Sequence, residues 1–304
     1  MSITLSEANL SLPLFGRGKV RDTYDLGEKL LIVSTDRLSA FDVVLPDPIP
    51  DKGMVLNQLS CFWFEKTRQV ISNHLVTPIN SMNSLKRYLP QNVTPPDYLL
   101  GRSMITLKAE RVPVECVVRG YISGSAWAEY KQSGTICGMS APRGLQESQE
   151  LPEAVFTPTT KAESGHDETL NKKDMEKLVG KSTARELEEK SLAIYQYARD
   201  YALGRGIIIA DTKFEFGFVD GKLILIDEAL TPDSSRFWDI AQYTVGHSQP
   251  SLDKQPVRDW LVAAGWNKEP PAPKLPPEII EATTRRYVEA YQRLTGRKLQ
   301  NVSG

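Results

Sequence analysis

The chain has 304 residues, and its 37 Lys and Arg residues against 38 Asp and Glu leave a net charge of −1 at pH 7. A chain so balanced has no overall field to draw in nucleic acid or an anionic membrane, so any anionic ligand must be caught by local Arg and Lys clusters. Cys61, Cys116 and Cys137 lack CxxC spacing, which excludes a zinc ribbon and a disulfide framework and suits a reduced, cytoplasmic setting. The opening MSITLSEANLSLPLF shows no basic segment leading into an apolar run, and no apolar stretch is long enough to span a bilayer. A soluble intracellular protein with a sizeable core and two lobes is expected.

Residues 14–45 read as strand, glycine turn and strands, with Gly16 and Gly18 followed by Lys19, Val20 and Arg21. Such a turn offers backbone N–H groups and cations to phosphate. A P-loop is excluded by Pro13 and Val20, and a dinucleotide fingerprint by Arg21 in place of a third glycine. A Gly-rich hairpin of the kind that covers ATP phosphates in protein kinases remains, although GxGxV alone fits an ordinary hairpin turn as well. In the polar loop 34–53, Asp36, Arg37, Ser39 and Asp42 either brace a turn or line a cleft. A helix over 57–71 carries a core face of Leu59, Phe62, Trp63 and Val70; His74, beyond it, reads as a surface or capping residue.

Residues 99–118 read as two strands around Pro113, the place of a connector between lobes. Arg119, Ser123 and Ser125 then precede a helix, which makes either a phosphate cradle or a plain N-cap. A GxSxG nucleophile elbow fails at Tyr121. The stretch 152–169 is an exposed-type loop, in which His166 and Asp167 read as structural or solvent-facing. A helix over 182–203, with Thr183 and Glu186 in capping-box spacing, buries Leu187, Ile194, Ala198 and Tyr201 and ends at Gly204 and Gly206.

The most informative stretch follows: a strand over 207–211, then a hairpin with arms 213–218 and 222–227 around Asp220-Gly221. A two-residue turn would put Asp227 on the face of Phe214, Phe216 and Phe218. A three-residue loop with a bulge at Gly221 shifts the pairing by one, so that those phenylalanines share a face with Ile224 and Ile226. Asp211, Lys213, Glu215 and Asp227 then share the other face. Stranding a carboxylate among phenylalanines is costly, so the three-residue loop is the expected register. Three carboxylates gathered on one face repel unless a cation sits among them, and hard oxygen ligands suit Mg²⁺. A solvated charged face with a Lys–Glu cross-strand pair is the other reading. Beyond it come Ser251-Leu252-Asp253-Lys254-Gln255, a helix with Arg258, Asp259 and Trp260, a stiff proline connector, and an amphipathic helix over 278–294 closing at Gly296.

Taken together, GKVRDTYDL, STDRLSAFDV, VECVVRGYISGSAW, FTPTTKAESGHDE, ADTKFEFG, LIDEALTPDSSRFW and SLDKQPVRDWL resemble the SAICAR synthetase family, in its order and over nearly the whole chain. The length and the SLDKQ element look like the longer form of that family. The resemblance implies an α+β, two-lobed ATP-binding fold, distantly protein-kinase-like, with an N-terminal lobe over 1–112 and a C-terminal lobe over 113–304. It implies a ligase that joins L-aspartate to the carboxylate of the aminoimidazole ribotide CAIR through an acyl phosphate, giving SAICAR, ADP and phosphate. A small-molecule kinase with the same ATP cleft is the alternative. By the family pattern Gly18, Lys19, Val20 and Arg21 lie over the ATP phosphates, with Lys108 and Glu115 towards adenine. Glu215 and Asp227 hold Mg²⁺, and Asp211 lies close by. Lys213, Arg236, Arg119 and Ser125 hold CAIR, the last two at its phosphate, with Asp233 and Ser235 beside them. Lys19, Lys213 and Asp211 are the expected catalytic groups; Asp36 and residues 157–161 are weaker carry-overs. ATP, CAIR and L-aspartate are the expected partners, with no nucleic acid or membrane, for a monomer or homodimer.

Overall fold

A computed structural model describes residues 4–161 and 168–299; His166 and Asp167 lie outside the described residues. The first half builds a five-stranded antiparallel sheet from β1 (Leu14–Arg17), β2 (Arg21–Asp25), β3 (Lys29–Ser34), β6 (Leu75–Pro78) and β7 (Ser103–Leu107), in the order β1-β2-β3-β7-β6. Between them lie a small hairpin of β4 (Ser39–Ala40) and β5 (Val43–Val44), helix α1 (Lys52–Lys66) and helix α2 (Met82–Lys86). The second half begins with β8 (Glu110–Tyr121), α3 (Gly124–Ser133), a minor hairpin of β9 (Thr135–Ile136) and β10 (Met139–Ser140), β11 (Glu150–Phe156) and β12 (Thr159–Thr160). Helices α4 (Lys172–Val179) and α5 (Lys181–Leu203) follow, then β13 (Ile207–Val219), β14 (Lys222–Ile226), β15 (Ser235–Asp239), α6 (Gln255–Ala263) and α7 (Pro277–Thr295).

The thirteen-residue strand β13 is the spine of the second sheet, pairing β8 along one edge and β15 then β14 along the other. Helix α5 backs it with Leu187, Ile194 and Ala198 buried, as the 3.6-residue spacing predicts. The main apolar cluster joins both sheets: Ile32 and Met104 of the first, Val118, Phe214 and Phe216 of the second, with Leu59 and Trp63 of α1. A second cluster packs Leu38, Ala40 and Leu45, around the β4–β5 hairpin, onto Val257 and Leu261 of α6, so the C-terminal helices grip the first half of the chain.

Several local expectations are corrected. Helix α1 starts at Lys52, not 57, because Lys52 is fully buried and ion-paired, which fixes the first turn at the end of what reads as a polar loop over 34–53. Gly53 is required there, since a Cβ would lie 2.4 Å from the Ser34 carbonyl oxygen. Pro113 lies inside β8 rather than between strands. The Thr183–Glu186 capping pattern is not used, Gly180 being the N-cap with no side-chain bond. His74 is buried, edge-on to Phe64, and burial first and Arg21 second depress its pKa to about 3.

The hairpin register is also different from the expected one. Val219 pairs with Lys222 across a two-residue turn whose central residues, Asp220 (φ 50°) and Gly221 (φ 71°), are both left-handed. That is the type I′ geometry that matches strand twist. Phe214 and Phe216 therefore share the core with Leu223 and Leu225, while Ile224 and Ile226 join the face of Glu215. Asp227 escapes the phenylalanine face because β14 ends at Ile226 and Asp227 itself adopts φ 66°. Left-handed backbone is tolerated by Asp and breaks the strict two-residue alternation of side chains.

Candidate functional site

Strand pairing sets the site. Arg119 of β8 and Arg236 of β15 are the cross-strand neighbours of Asp211 on β13, so three adjacent strands present them side by side. Arg119 donates to the Asp211 carboxylate at 3.2 Å, Arg236 donates to the same oxygen, and the Ser123 hydroxyl adds a third bond at 3.3 Å. Arg119 also donates to Ser125 Oγ and Thr157 Oγ1, which fixes its fork. Two guanidinium groups on one carboxylate leave an excess of positive charge beside the start of α3. Burial, with Arg236 acting against the pull of Asp211, lowers the Arg119 pKa. Positive charge and hydrogen-bond donors gathered in this way can pair with an oxyanion. Asp211 organises these arginines.

Four residues along β13 the chemistry changes. Glu215 faces Glu115 directly across the β8 pairing, a like-charge match that needs cations. Lys161 supplies one, its Nζ 2.7 Å from Glu115 and 2.5 Å from Glu215; Lys213 donates to both Glu115 oxygens at 2.9 and 3.0 Å. Burial opposes ionisation of Glu115, but Lys213 and Lys161 outweigh it and hold its carboxyl below the usual range. The Glu215 carboxyl is pushed up instead, by burial first and by the charge of Asp227 second. Asp227 pairs with Arg21 at 2.5 Å, which links the glycine hairpin to this carboxylate pair.

The pair Glu215 and Asp227 thus meets a simple test for Mg²⁺. Glu215 is buried, the charge of the partly buried Asp227 adds to the cost of ionising it, and among the described residues no group of three or more metal-ligating side chains is present. One or two carboxylates completed by phosphate oxygens and water is the usual shell of that ion.

A cleft of about 530 Å³ opens beside the arginine corner, lined by Lys19, Asp42, Arg119, Ser125, Asp211, Lys213, Asp233, Ser235, Arg236, Lys254 and Arg258 among others. All six predicted substrate residues, Arg119, Ser125, Lys213, Asp233, Ser235 and Arg236, meet here. Lys19 reaches Asp42 at 2.5 Å across the mouth. Ser235 shares a hydroxyl contact with Thr212, and both Asp233 oxygens are taken, one by Lys52 at 2.6 Å and one by the Tyr287 hydroxyl at 2.6 Å.

Other predicted residues lie elsewhere. Gly18, Arg21, Glu115, Glu215 and Asp227 do not line this cleft. Val20 is packed in the main core, and Gly18 closes the hairpin turn through its N–H to the Arg21 carbonyl. Lys108 sits over the Phe15 ring and pairs with Asp25. Glu115 is committed to Lys161 and Lys213. Asp36 takes the bracing role and not the substrate one: wholly buried, it accepts the N–H groups of Leu5 and Gly53 and pairs with Arg102.

Sequence reasoning missed Lys52, Lys254 and Arg258. Lys52 followed a proline-rich turn that hid the helix start; the other two stood in a motif, SLDKQPVRDWL, noted without any chemistry attached.

The SAICAR synthetase family model matches residues 14–273. The phosphoribosylaminoimidazole-succinocarboxamide synthase of Thermodesulfovibrio yellowstonii is 51% identical over 296 residues, covering 97% of this chain and 100% of that one. That of Desulfosudis oleivorans is 53% identical over 287 residues, covering 94% and 96%. Among solved structures, the SAICAR synthase of Saccharomyces cerevisiae complexed with SAICAR superposes with a TM-score of 0.89 at 46% identity, over 97% of this chain and 99% of that one. A type-2 SAICAR synthetase in complex with ADP gives 0.70 at 25% identity, over 94% and 99%.

Proposed function

Since this chain belongs to the SAICAR synthetase family, we propose that its cleft carries out that family's ligation with the residues described above. The enzyme is an ATP-dependent ligase of purine biosynthesis: it joins L-aspartate to the carboxylate of CAIR and yields SAICAR, ADP and phosphate. The kinase alternative is not favoured, because relatives that match along nearly the whole chain are SAICAR synthases.

The observation that carries the assignment of roles is the division of labour along β13, with an oxyanion corner at Asp211 and a carboxylate pair four residues on. Arg119, Arg236 and Ser125 receive the ribotide phosphate, and Asp211 keeps both guanidinium groups aimed at it. Lys213 stands between the two ends, where the CAIR carboxylate must meet the γ-phosphoryl group. A carboxylate is a poor acylating agent until its oxygen is phosphorylated, and bringing two anions together makes neutralisation the principal task. Lys19 at the cleft mouth and Lys213 supply it from the protein. Lys19 releases Asp42 to do so, and Gly18 and Arg21 close the glycine hairpin over the triphosphate.

Glu215 and Asp227 would hold Mg²⁺, which supplies charge neutralisation between neighbouring phosphate oxygens. Lys161 and Arg21 neutralise the same carboxylates from the protein side. The two lobes, 1–112 and 113–304, close on the nucleotide, and the protein works in the cytoplasm as a monomer or homodimer. Among the described residues no helix is long and apolar enough to cross a membrane.

The test is product formation by the purified protein with ATP, Mg²⁺ and CAIR, with and without L-aspartate. SAICAR and ADP in equal amounts are expected in the complete mixture. No SAICAR there defeats the proposal, and a stable phosphorylated CAIR that ignores aspartate would restore the kinase reading.

A further inference from the structure

The cations of the cleft are not equally occupied. Arg119 and Arg236 share Asp211, Lys213 and Lys161 share Glu115, and Lys19 has Asp42. Lys254, the residue that caps the start of α6, and Arg258, in its first turn, differ. The carboxylate nearest the Lys254 ammonium is Asp233 at 3.9 Å, too far for a hydrogen bond, and both Asp233 oxygens already serve Lys52 and Tyr287. Asp253, their other acidic neighbour, accepts the Ser251 hydroxyl at 2.6 Å and the Gln255 N–H at 2.7 Å. Arg258 makes a single long contact, 3.5 Å to the Gln255 side-chain oxygen, and no carboxylate among the described residues comes within ion-pair distance of it. The Lys254 side chain is 13% exposed, so water solvates its charge poorly. Burial first, then the neighbouring cations Arg258 and Lys52, lower its pKa against the pull of Asp233.

A cationic pair that is costly to keep in a cleft wall fits a site completed by an anionic ligand. The arginine corner already answers the ribotide phosphate, and the glycine hairpin and the Glu215–Asp227 end answer the triphosphate. The reactant left without a receptor is the amine donor, a dicarboxylate.

We propose that Lys254 and Arg258 bind a carboxylate of the incoming amino acid and select a dicarboxylate donor over neutral ones. The inference rests on the ligase reading. Lys254 offers a compact point charge and Arg258 a fork, from the same end of one helix, so a carboxylate between them accepts from both while the donor's amine is left free for the CAIR carboxyl carbon. Asp233 is then a positioning residue: clamped by Lys52 and Tyr287, it holds the Lys254 ammonium near without neutralising it.

The test compares Lys254→Met and Arg258→Gln with the unmodified enzyme. Losing a charge-assisted hydrogen bond at a partly buried site weakens binding roughly 10- to 100-fold. The KM for L-aspartate should rise by that factor in each variant, while those for CAIR and ATP stay within about twofold. Calorimetric binding of succinate, a dicarboxylate with no amine, should weaken in parallel. Because that second readout needs no turnover, a failure of the ligase reading (no SAICAR from the unmodified enzyme) is separable from a failure of this one. A rise in the KM for CAIR instead would assign the pair to the ribotide and overturn the proposal, as would unchanged aspartate kinetics and succinate affinity. Should Lys254→Met not fold, Arg258→Gln, on a half-exposed side chain, decides the matter alone.

Discussion

Asp211→Asn tests the arginine corner most directly. At 3.2 Å and an effective dielectric of about 20, the gross attraction of Arg119 to the carboxylate is ~5 kcal/mol, and Arg236 adds a second contact. Most of that offsets the cost of burying the charges, and truncating one member of such a pair typically costs about 3–5 kcal/mol. Arg236 is 28% exposed, so the lower end applies, ~3 kcal/mol. For a domain of this size that is a fall in melting temperature of roughly 6 °C. The Asn variant also leaves two guanidinium groups facing each other without a counter-charge, so a bound oxyanion should replace what was lost. Inorganic phosphate at about 100 times its Kd contributes ~2.7 kcal/mol, enough to close most of the gap. Thermal melts of both proteins over a phosphate titration at constant ionic strength measure this. The variant should gain more than the unmodified protein, and the two curves should converge. An Asn variant as stable as its parent without phosphate, or a gap that phosphate leaves untouched, refutes the account of Asp211 as the counter-charge of an oxyanion receptor.

At the other end of β13, Asp227→Asn should lower kcat by about 100-fold or more while circular dichroism stays unchanged, and full activity would remove Asp227 from the Mg²⁺ site. Glu215→Gln should stabilise the protein free of metal and nucleotide by about 1 kcal/mol at neutral pH while abolishing turnover. The sign follows from the raised Glu215 pKa: ionisation is a cost in the folded state, so the gain is present above that pKa and fades as the pH falls through it. Melts of the two proteins from pH 8 to pH 4 show this, and a destabilised Gln variant at neutral pH would contradict it. Lys52→Met should cost about 3–5 kcal/mol, because both Lys52 and Asp233 are buried and the carboxylate is left with too little countercharge. Urea unfolding reads that loss. Asp233, its pKa held well down by Lys52 against burial, contributes stability above the ordinary Asp range that is lost as pH falls through its lowered value.

Much of the frame was legible. The helix over residues 182–203 and the closing helix near 278–294 follow from apolar spacing and flanking glycines, and both stand within a residue or so of the observed α5 and α7. Where the sequence misled, a local signal competed with a tertiary one. Residues 34–53 read as a polar loop, yet the ion pair of Lys52 with a residue 181 positions away starts a helix there. Asp36, in a polar loop, reads as a brace or as a cleft residue, and only Arg102 and two backbone N–H groups that enclose it decide for the brace. The excess charge at Lys254 and Arg258 was invisible for the same reason: being unpaired is a property of what surrounds a side chain, which no motif records.

The hairpin shows how such errors offset one another. The expected three-residue loop keeps Asp227 away from Phe214 and Phe216, and the observed two-residue turn would return it to them if the strand ran on. The strand stops at Ile226 instead, and the left-handed Asp227 turns out of the pleat towards Arg21. The physical demand, that a carboxylate not be buried among phenylalanines, was therefore sound, while the means of meeting it was a dihedral angle at one residue rather than the register of ten. Period-two reasoning holds only as long as the strand does. A carboxylate at a strand's end, next to a site that needs it, is where that alternation most readily yields, because left-handed backbone at one Asp costs less than an uncompensated buried charge.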